Sequence, residues 1–180
     1  PDKPLLADEY LGHAIELDVD AVSDGTEVLI GAIMEHLEEA GIHSGDSTCF
    51  IPPQNVSDEI LAQVEDWTEK IGLGLNIIGC YNIQFAICGN ELYVLEVNPR
   101  ASRTIPFISK ITDIPYAKYA AQVSSGKKLK DLNFNTNSTQ LIAVKKPVFP
   151  FNKFPKQKVF LSPEMRSTGE VIGFDTQLGS

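Results

Sequence analysis

Residues 81–98 read Tyr-Asn-Ile-Gln-Phe-Ala-Ile-Cys-Gly-Asn-Glu-Leu-Tyr-Val-Leu-Glu-Val-Asn, and this stretch decides the fold. Apolar and polar side chains alternate on both sides of Gly89-Asn90, which predicts two strands joined by a short turn. In an antiparallel hairpin, opposed residues lie on the same face and their numbers add up to a constant. The length of the turn therefore decides which side chains meet.

Two turn lengths are compatible with this hairpin, and they give different faces. A two-residue turn over Gly89-Asn90 would set apolar against polar side chains throughout, as where Ile83 meets Glu96. A three-residue turn over residues 89–91 separates the two kinds of side chain. Its pairs are Gln84 with Glu96, Ile83 with Val97, Phe85 with Leu95 and Ile87 with Tyr93. We therefore predict the three-residue turn, because burial of one face fixes the register.

The predicted polar face of the hairpin carries oxygen ligands. Gln84 lies opposite Glu96, and Asn82 and Asn98 flank them. One carboxylate and several amide oxygens form the hard-ligand set that Mg²⁺ takes in nucleotide enzymes, with room left for water and phosphate oxygens. An ordinary half-exposed hairpin with a polar outer face explains Gln84 and Glu96 equally well. The two arginines within the next few residues favour the metal site.

Residues 96–104 read Glu-Val-Asn-Pro-Arg-Ala-Ser-Arg-Thr and closely resemble the metal-site signature of the ATP-grasp domains in the carbamoyl phosphate synthase large-subunit family. Upstream, residues 41–47 read Gly-Ile-His-Ser-Gly-Asp-Ser and are similar to the phosphate-proximal loop of the same family. Other ATP-grasp ligases share a Glu-x-Asn pattern, but we do not expect them to share the arginine pair or the His-Ser-Gly-Asp-Ser loop. The resemblance extends from about Ala7 to Gly173.

This resemblance implies an α+β fold, the C-terminal lobe of an ATP-grasp domain, with a mainly antiparallel sheet flanked by helices. Residues 1–130 correspond to the catalytic lobe without the N-terminal part of the grasp domain, and residues 131–180 to an extension that packs on the lobe and leads to the next domain. The chain begins without an initiator Met and inside family-like sequence. We therefore expect a fragment, and we expect the isolated fragment to be inactive. For the tail from residue 131 onward, including residues 149–155 and 163–170, we expect packing under the sheet or a contact with a neighbouring domain.

The resemblance also implies which residues form the site. ATP would be bound by residues of several segments, namely Glu9, Leu11, Glu16, Gly41, Ile42, His43, Ser44, Gln84 and Glu96. Metal ions, Mg²⁺ or Mn²⁺, would be held by Gln84, Glu96 and Asn98, and the catalytic side chains would be Arg100, Arg103 and His43. Without the resemblance, His43 is read as a solvated loop histidine and Glu16 as a solvated acid on a strand.

The large subunit in this family carries two homologous ATP-grasp halves, of which the first phosphorylates bicarbonate and the second phosphorylates carbamate. Residues 34–36, 100–107 and 149–155 resemble the second half. The resemblance thus implies ATP- and Mg-dependent formation of carbamoyl phosphate from carbamate. It also implies two partners, the rest of the large subunit and a glutaminase small subunit, and a place in pyrimidine and arginine biosynthesis. The alternatives are a nucleotide-binding or structural lobe without turnover, and the bicarbonate-phosphorylating half.

Composition excludes several other classes of protein. The 180 residues include 15 Lys and Arg against 24 Asp and Glu, a formal net charge of −9, which argues against a nucleic-acid partner. No apolar run approaches the ~20 residues of a membrane span, and the N-terminus has no signal-peptide character. The three cysteines, Cys49, Cys80 and Cys88, are widely spaced, so they indicate neither a zinc motif nor a disulfide framework. We expect a reducing, cytoplasmic location.

The N-terminal third of the chain shows strand patterns. Residues 14–22 alternate strictly, which predicts a half-buried strand. Its inward residues would be Ile15, Leu17, Val19 and Ala21, and its outward ones Glu16, Asp18 and Asp20. A second strand over residues 28–34 is predicted to pair back on the first, and a polar connector over residues 35–39 follows. No role is assigned to His13 or His36.

Later segments alternate between helix and strand patterns. Ser57 is predicted to cap a helix that ends at Gly72 and Gly74, with Trp67 on its packed face. Two shorter helices are predicted over residues 104–111 and 114–123. Short strands are predicted over residues 48–51, 140–145, 148–151 and 158–160.

Overall fold

A computed structural model of the chain describes residues 4–5, 7, 10–132, 141–151 and 160–177. Within them, seven antiparallel strands form one sheet in the order β5-β4-β1-β2-β3-β6-β7. The strands are β1 Ile15–Asp24, β2 Val28–His36, β3 Cys49–Ile51, β4 Ile78–Cys88, β5 Glu91–Asn98, β6 Ile142–Val148 and β7 Gly169–Asp175. The helices are α1 Asp58–Gly74, α2 Ile105–Thr112 and α3 Tyr116–Ser124. The predicted α+β class, an antiparallel sheet flanked by helices, is confirmed.

Helix α1 packs on one face of the sheet. Its fully buried Val64 lies in an apolar cluster with Leu17, Ile83 and Phe85 of β1 and β4. Trp67 packs against the same cluster, as predicted. The side chain of Ser57 accepts a hydrogen bond from the Ile60 N–H at 3.4 Å, so the predicted N-cap is also confirmed.

Helices α2 and α3 cover the opposite face, but only at one end. Phe107, Ile108 and Tyr116 are buried there against the apolar side chains Val22 and Met34 of β1 and β2. The other end of this face is left to loops, and it is where the polar residues of β1, β4 and β5 point. Among the helices of the described residues, none is long and apolar enough to cross a membrane.

The prediction of a half-buried β1 was wrong. This strand lies in the middle of the sheet between β2 and β4, and both of its faces are covered. Glu16 and Asp18 are each only 3% exposed, and Asp20 is 0% exposed. Strict alternation correctly assigned these acids to the face away from the α1 cluster. It could not show that this second face is closed by loops from elsewhere in the chain.

The predicted register of the β4–β5 hairpin was right near the polar residues and wrong near the turn. Gln84 pairs with Glu96 and Ile83 with Val97, as a three-residue turn would give. Beyond Gln84 the register shifts, so that Phe85 pairs with Val94 instead of Leu95. Leu95 is the extra residue of a β-bulge, and the turn itself is the two-residue Gly89-Asn90. The bulge lets a tight turn and a polar face coexist in one hairpin.

Other boundaries differ from expectation in two places. Strand β2 continues through Glu35 and His36, which were expected in a connector. Glu35 is buried because its carboxylate accepts hydrogen bonds from the Gln54 N–H at 2.6 Å and the Asn55 N–H at 2.9 Å, in the loop before α1. Of the strand predicted over residues 148–151, only Val148 is in a strand, since β6 ends there.

The C-terminal part of the chain continues the sheet. The predicted strand over residues 140–145 corresponds to β6, which pairs with β3, although residue 140 lies outside the described residues. Of the predicted strand at 158–160, only Phe160 is described, and it is not in a strand. β7 was missed because Gly169 and Gly173 dilute its alternation.

Candidate active site

A cavity of about 600 Å³ lies on the sheet face that α2 and α3 leave uncovered. Its floor is formed by β1, β4 and β5, and its walls by the loop at residues 41–47, the loop at residues 98–104 and part of the segment after β6. Predicted site residues that line it are Glu16, Gly41, Ile42, His43, Ser44, Gln84, Glu96, Asn98, Arg100 and Arg103. Leu11 is not among the lining residues, and Glu9 lies outside the described residues.

The hairpin presents its carboxylate and amide side chains to this cavity. Gln84 and Glu96 are direct cross-strand partners, and Asn82 is the partner of Asn98. The amide nitrogen of Asn82 donates to Asp18 Oδ1 at 2.5 Å and Asp20 Oδ1 at 2.9 Å. Those contacts fix the orientation of the Asn82 amide and tie the hairpin to β1.

The donor set fits a hard divalent cation. A carboxylate of Glu96 and amide oxygens of Gln84 and Asn98 share one wall of the cavity, and such oxygens are the ligands that Mg²⁺ and Mn²⁺ prefer. Within the described part of the chain, no three His, Cys, Asp or Glu side chains converge as a metal site. A cation here would therefore complete its coordination with oxygens from substrate or water.

The acids of β1 are buried beneath this wall. Burial raises the pKa of Glu16 to about 7, and although a hydrogen bond from the Gly41 backbone opposes this, repulsion from Glu96 adds to it. Burial and mutual repulsion also raise the pKa of Asp18, and burial raises that of Asp20. The floor of the cavity thus carries less negative charge at neutral pH than its composition suggests.

His36 lies beside these acids and was not predicted to belong to the site. Its Nδ1 is 3.5 Å from Glu16 Oε1, and its Nε2 is 3.9 Å from Asp18 Oδ2. Burial, assisted by the charge of Lys145, lowers the pKa of His36 to about 3. The imidazole is therefore neutral at pH 7, and these contacts are not ion pairs. Its position follows from β2, where it lies two residues after the buried Met34 on the same face.

Lys145 was also missed. It is 1% exposed, and its ammonium group donates to the Ser44 carbonyl at 3.3 Å, inside the cavity wall. β3 places Cys49 between Lys145 and His36 in the sheet. Burial raises the pKa of the Cys49 thiol to about 12, so it acts as a small apolar side chain. There is little signal for Lys145 in the sequence, because it is one of two adjacent lysines in β6, and only the structure shows that Lys145 is the buried one.

The loop at residues 41–47 forms several hydrogen bonds within itself. Gly41 has a φ of +98°, a conformation that favours glycine. A 3₁₀ turn over Ser44–Asp46 is capped by His43, whose Nδ1 accepts from the Gly45 N–H at 3.0 Å. The proton of a neutral His43 is therefore on Nε2. Because several loop N–H groups bond within the loop, fewer are free for an anion than a glycine-rich pattern suggests.

The loop at residues 98–104 carries both arginines and is anchored to β1. Thr104 Oγ1 donates to the buried Oδ2 of Asp20. Ser102 Oγ accepts from the Thr104 N–H at 3.1 Å. Arg100 and Arg103 leave this anchored backbone on the cavity side.

Comparison with known families decides what kind of domain surrounds this cavity. The family model for the ATP-binding domain of the carbamoyl-phosphate synthase L chain matches residues 2–132. The chain belongs to this family.

Individual relatives agree with the family assignment. Large chains of carbamoyl phosphate synthase from Methanosphaerula palustris and Methanospirillum hungatei are 58% and 57% identical to this chain over 98% of its length. The large chain from a Synechocystis species is 52% identical over 99% of it. In each case the chain spans 17% of the relative's length.

A solved structure supports the ATP-grasp-like fold at lower similarity. The biotin carboxylase domain of a single-chain bacterial carboxylase matches with a TM-score of 0.67 and 14% identity. The match covers 78% of this chain and 34% of that one. The ATP-binding family model matches residues 2–132. Glu16, His43, Gln84 and Glu96, which line the cavity, all lie within that range.

Proposed function

We propose that this chain is part of a carbamoyl phosphate synthase large chain and belongs to its second ATP-grasp half, which phosphorylates carbamate with ATP. One observation carries the proposal. The opposed pair Gln84 and Glu96, the two arginines of the 98–104 loop and the His43 loop all line one cavity. A metal ligand set and an anion-binding set in one cavity are what phosphoryl transfer requires.

The metal is assigned to the β4–β5 wall. Gln84, Glu96 and Asn98 would hold Mg²⁺ or Mn²⁺, and Glu16 lies close enough to Glu96 for their repulsion to be felt. When bound there, the cation would supply positive charge that offsets the charge of the phosphate oxygens. ATP would lie along the same wall and against residues 41–44, and the roles of Glu9 and Leu11 at its base rest on the family resemblance alone.

The anionic groups are assigned to the arginines and the loop. Arg100 and Arg103 present planar donor forks that match carbamate and phosphoryl oxygens. His43 Nε2–H faces the transferred group. A carbamate oxygen forms the new bond to the γ-phosphorus as the bond from that phosphorus to ADP breaks. Because this oxygen is already a competent nucleophile, the residues contribute positioning and electrostatic stabilisation.

The choice of the second half is supported by sequence patterns. Residues 34–36 precede the phosphate-proximal loop, residues 100–107 follow the metal strand and residues 149–155 follow β6, and all three resemble the carbamate half. We further propose a division into a grasp lobe, residues 1–130, and an extension, residues 131–180. The rest of the large chain and a glutaminase small subunit are its partners, and carbamoyl phosphate goes to pyrimidine and arginine biosynthesis.

The cell compartment is proposed from the thiols. Cys49, Cys80 and Cys88 are free in the described structure, which suits a reducing cytoplasm. The isolated chain is proposed to be inactive, because the N-terminal part of the grasp domain supplies the rest of the ATP clamp.

The reverse of the proposed step tests the assignment directly. The large chain that contains this sequence is expected to make ATP from ADP, Mg²⁺ and carbamoyl phosphate, and to lose this activity when Gln84 and Glu96 are both changed to Ala. Its bicarbonate-dependent ATP hydrolysis should survive that double change. Loss of the bicarbonate reaction with retention of ATP synthesis would instead assign the chain to the first half. Retention of both reactions would show that the chain is a nucleotide-binding or structural lobe without turnover. Titration of the chain with Mg²⁺ and an ATP analogue would then distinguish binding from a purely structural role.

A further inference from the structure

A segment for which sequence patterns indicate no catalytic role forms part of the cavity wall. Residues 160–168, here called the strap, run beside the loop at residues 41–47. The His43 N–H donates to the Ser162 carbonyl at 3.0 Å, and Ser167 Oγ donates to the Gly45 carbonyl at 2.8 Å. Pro163 and Met165 of the strap line the cavity. The strap is therefore attached at two points to the loop that carries His43.

Asp46 makes the central attachment. Its side chain is 0% exposed, Oδ2 accepts from the Arg166 N–H at 2.7 Å, and Oδ1 accepts from the Ser167 N–H at 2.8 Å. Burial raises the pKa of Asp46, but the hydrogen bonds from Ser167 and Arg166 outweigh burial, so the pKa lies below its ordinary value. Both carboxylate oxygens are thus used by the strap backbone. Asp46 is not among the residues that line the cavity.

The strap in turn sets the surroundings of Arg103. A guanidinium nitrogen of Arg103 lies 2.5 Å from Met165 Sδ. A Cβ added at Gly45 would lie 2.9 Å from the same sulfur and 3.2 Å from Arg103. Loop, strap and arginine therefore meet at one point, on the exposed side of the cavity wall.

We propose that Asp46 is a positioning residue, which holds the strap against the phosphate-proximal loop so that His43 and Arg103 keep their places in the cavity wall. It acts through the backbone of Arg166 and Ser167 and touches no substrate. The catalytic effect of losing it rests on the proposed function, whereas the attachment itself does not.

The chain offers a matched control for this carboxylate. Asp24 is also buried, and its Oδ atoms accept backbone hydrogen bonds from Thr26 at 2.8 Å and from the distant Leu129 at 2.7 Å. Those bonds, which outweigh the effect of burial, lower the pKa of Asp24 as well. Asp24 lies at the other end of β1 and does not line the cavity. An Asp→Asn change at either position removes the same kind of interaction.

The test compares Asp46→Asn with Asp24→Asn in the large chain that contains this sequence. Asp46→Asn is expected to lower kcat for carbamate-dependent phosphorylation at least roughly tenfold, and Asp24→Asn to change it by less than about twofold. Both variants should lose a similar amount of thermal stability. Hydrogen exchange at the Arg166 and Ser167 amides should accelerate in Asp46→Asn and stay unchanged in Asp24→Asn. Ser167→Ala, which removes only the side-chain bond to Gly45, should lower kcat by about threefold or more.

Several outcomes would overturn the proposal. Equal losses of kcat in the two Asn variants would make Asp46 a general stabilising residue. Unchanged exchange at Arg166 and Ser167 in Asp46→Asn would show that the attachment is not maintained by Asp46. Should Asp46→Asn fail to fold, full activity in Ser167→Ala would overturn the proposal. If the unmodified protein does not phosphorylate carbamate, the proposed function fails, and exchange together with MgADP affinity in the two Asn variants still decides the role of Asp46.

Discussion

Thr104 donates a side-chain hydrogen bond to the carboxylate of Asp20, which is completely buried in the central strand β1. The two residues are 84 positions apart in the sequence. Asp20 also accepts from the Asn82 amide at 2.9 Å, so one carboxylate joins β1, β4 and the loop that carries both arginines. The backbone of the arginine loop is therefore fixed to the least exposed part of the sheet.

Replacing Thr104 by Val should loosen this anchor. The two side chains have the same shape, but Val leaves the buried Asp20 carboxylate without one of its donors, which costs about 1–3 kcal/mol. We expect that loss in the free energy of unfolding, measured by urea denaturation of the chain. Thr104→Ser, which keeps the hydroxyl, is the control and should lose much less. Equal stability of the Val and Ser variants would show that the hydroxyl contributes nothing.

The polar face of the hairpin could be predicted from the sequence because its register depends on local alternation. The pairing of Gln84 with Glu96 followed from that rule. The predicted pairing of Phe85 with Leu95 was wrong, because a bulge at Leu95 adds one residue to β5 and shifts the register there. A bulge has no residue signature of its own here, since Leu fits a regular strand equally well.

Glu96→Gln should remove most carbamate-dependent ATP turnover and leave the fold intact. The neutral amide keeps the shape of the side chain but loses the charge that holds a divalent cation. Steady-state formation of carbamoyl phosphate from carbamate and ATP in the full large chain measures the effect, and circular dichroism checks the fold. Val94→Ile in the same strand is a control, because Val94 does not line the cavity. Near-normal product formation in Glu96→Gln would contradict the assignment.

The buried polar residues show what a single sequence cannot reveal. Glu16, Asp18 and Asp20 are closed in by loops from residues 41–47 and 98–104, which are distant in the chain. Lys145 reaches the cavity from β6, more than a hundred residues after His36. Their convergence depends on sheet order, which the hairpin patterns alone do not determine. The motifs that could be recognised were those whose residues are contiguous.

Glu16 should make stability depend on pH in a defined window. Its pKa is raised from 4.5 to about 7, so the folded state binds this proton more tightly than the unfolded state. The contribution of Glu16 to the free energy of unfolding is fully present below pH 4.5 and is lost as the pH rises through 7. The loss is at most about 3 kcal/mol. Glu16→Gln should therefore be more stable than the unmodified chain at pH 8 and not at pH 4.5. Urea denaturation at the two pH values measures the difference.

The comparison with Glu16→Gln is needed because His36 acts in the opposite sense. Its pKa falls from 6.5 to about 3 on folding, so its contribution is present above pH 6.5 and is lost as the pH falls toward 3. The two effects overlap in the curve of the unmodified chain. A stability difference between the chain and Glu16→Gln that is the same at pH 4.5 and pH 8 would contradict the raised pKa of Glu16.

A substitution at Arg103 tests whether the second arginine of the loop at residues 98–104 acts in the site or is an ordinary surface charge. It lines the cavity, its exposed guanidinium lies against Met165, and its backbone precedes the anchored Thr104, so the position of its backbone is well defined. Exposed arginines contribute about 0–1 kcal/mol through ion pairs, whereas one that stabilises a developing phosphoryl charge is worth roughly 3 kcal/mol or more. Lysine keeps the charge and loses the planar fork.

Arg103→Lys in the full large chain should therefore lower the rate of the carbamate-dependent reaction at least roughly tenfold, equivalent to about 1.4 kcal/mol, and change the bicarbonate-dependent ATP hydrolysis much less. Lys110→Arg is the matched control, because Lys110 is an exposed residue of α2 that does not line the cavity. It should leave both reactions within about twofold of the unmodified protein. Because only a residue of the carbamate site affects one half-reaction alone, equal losses in both reactions for Arg103→Lys, or no loss in either, would exclude Arg103 from that site.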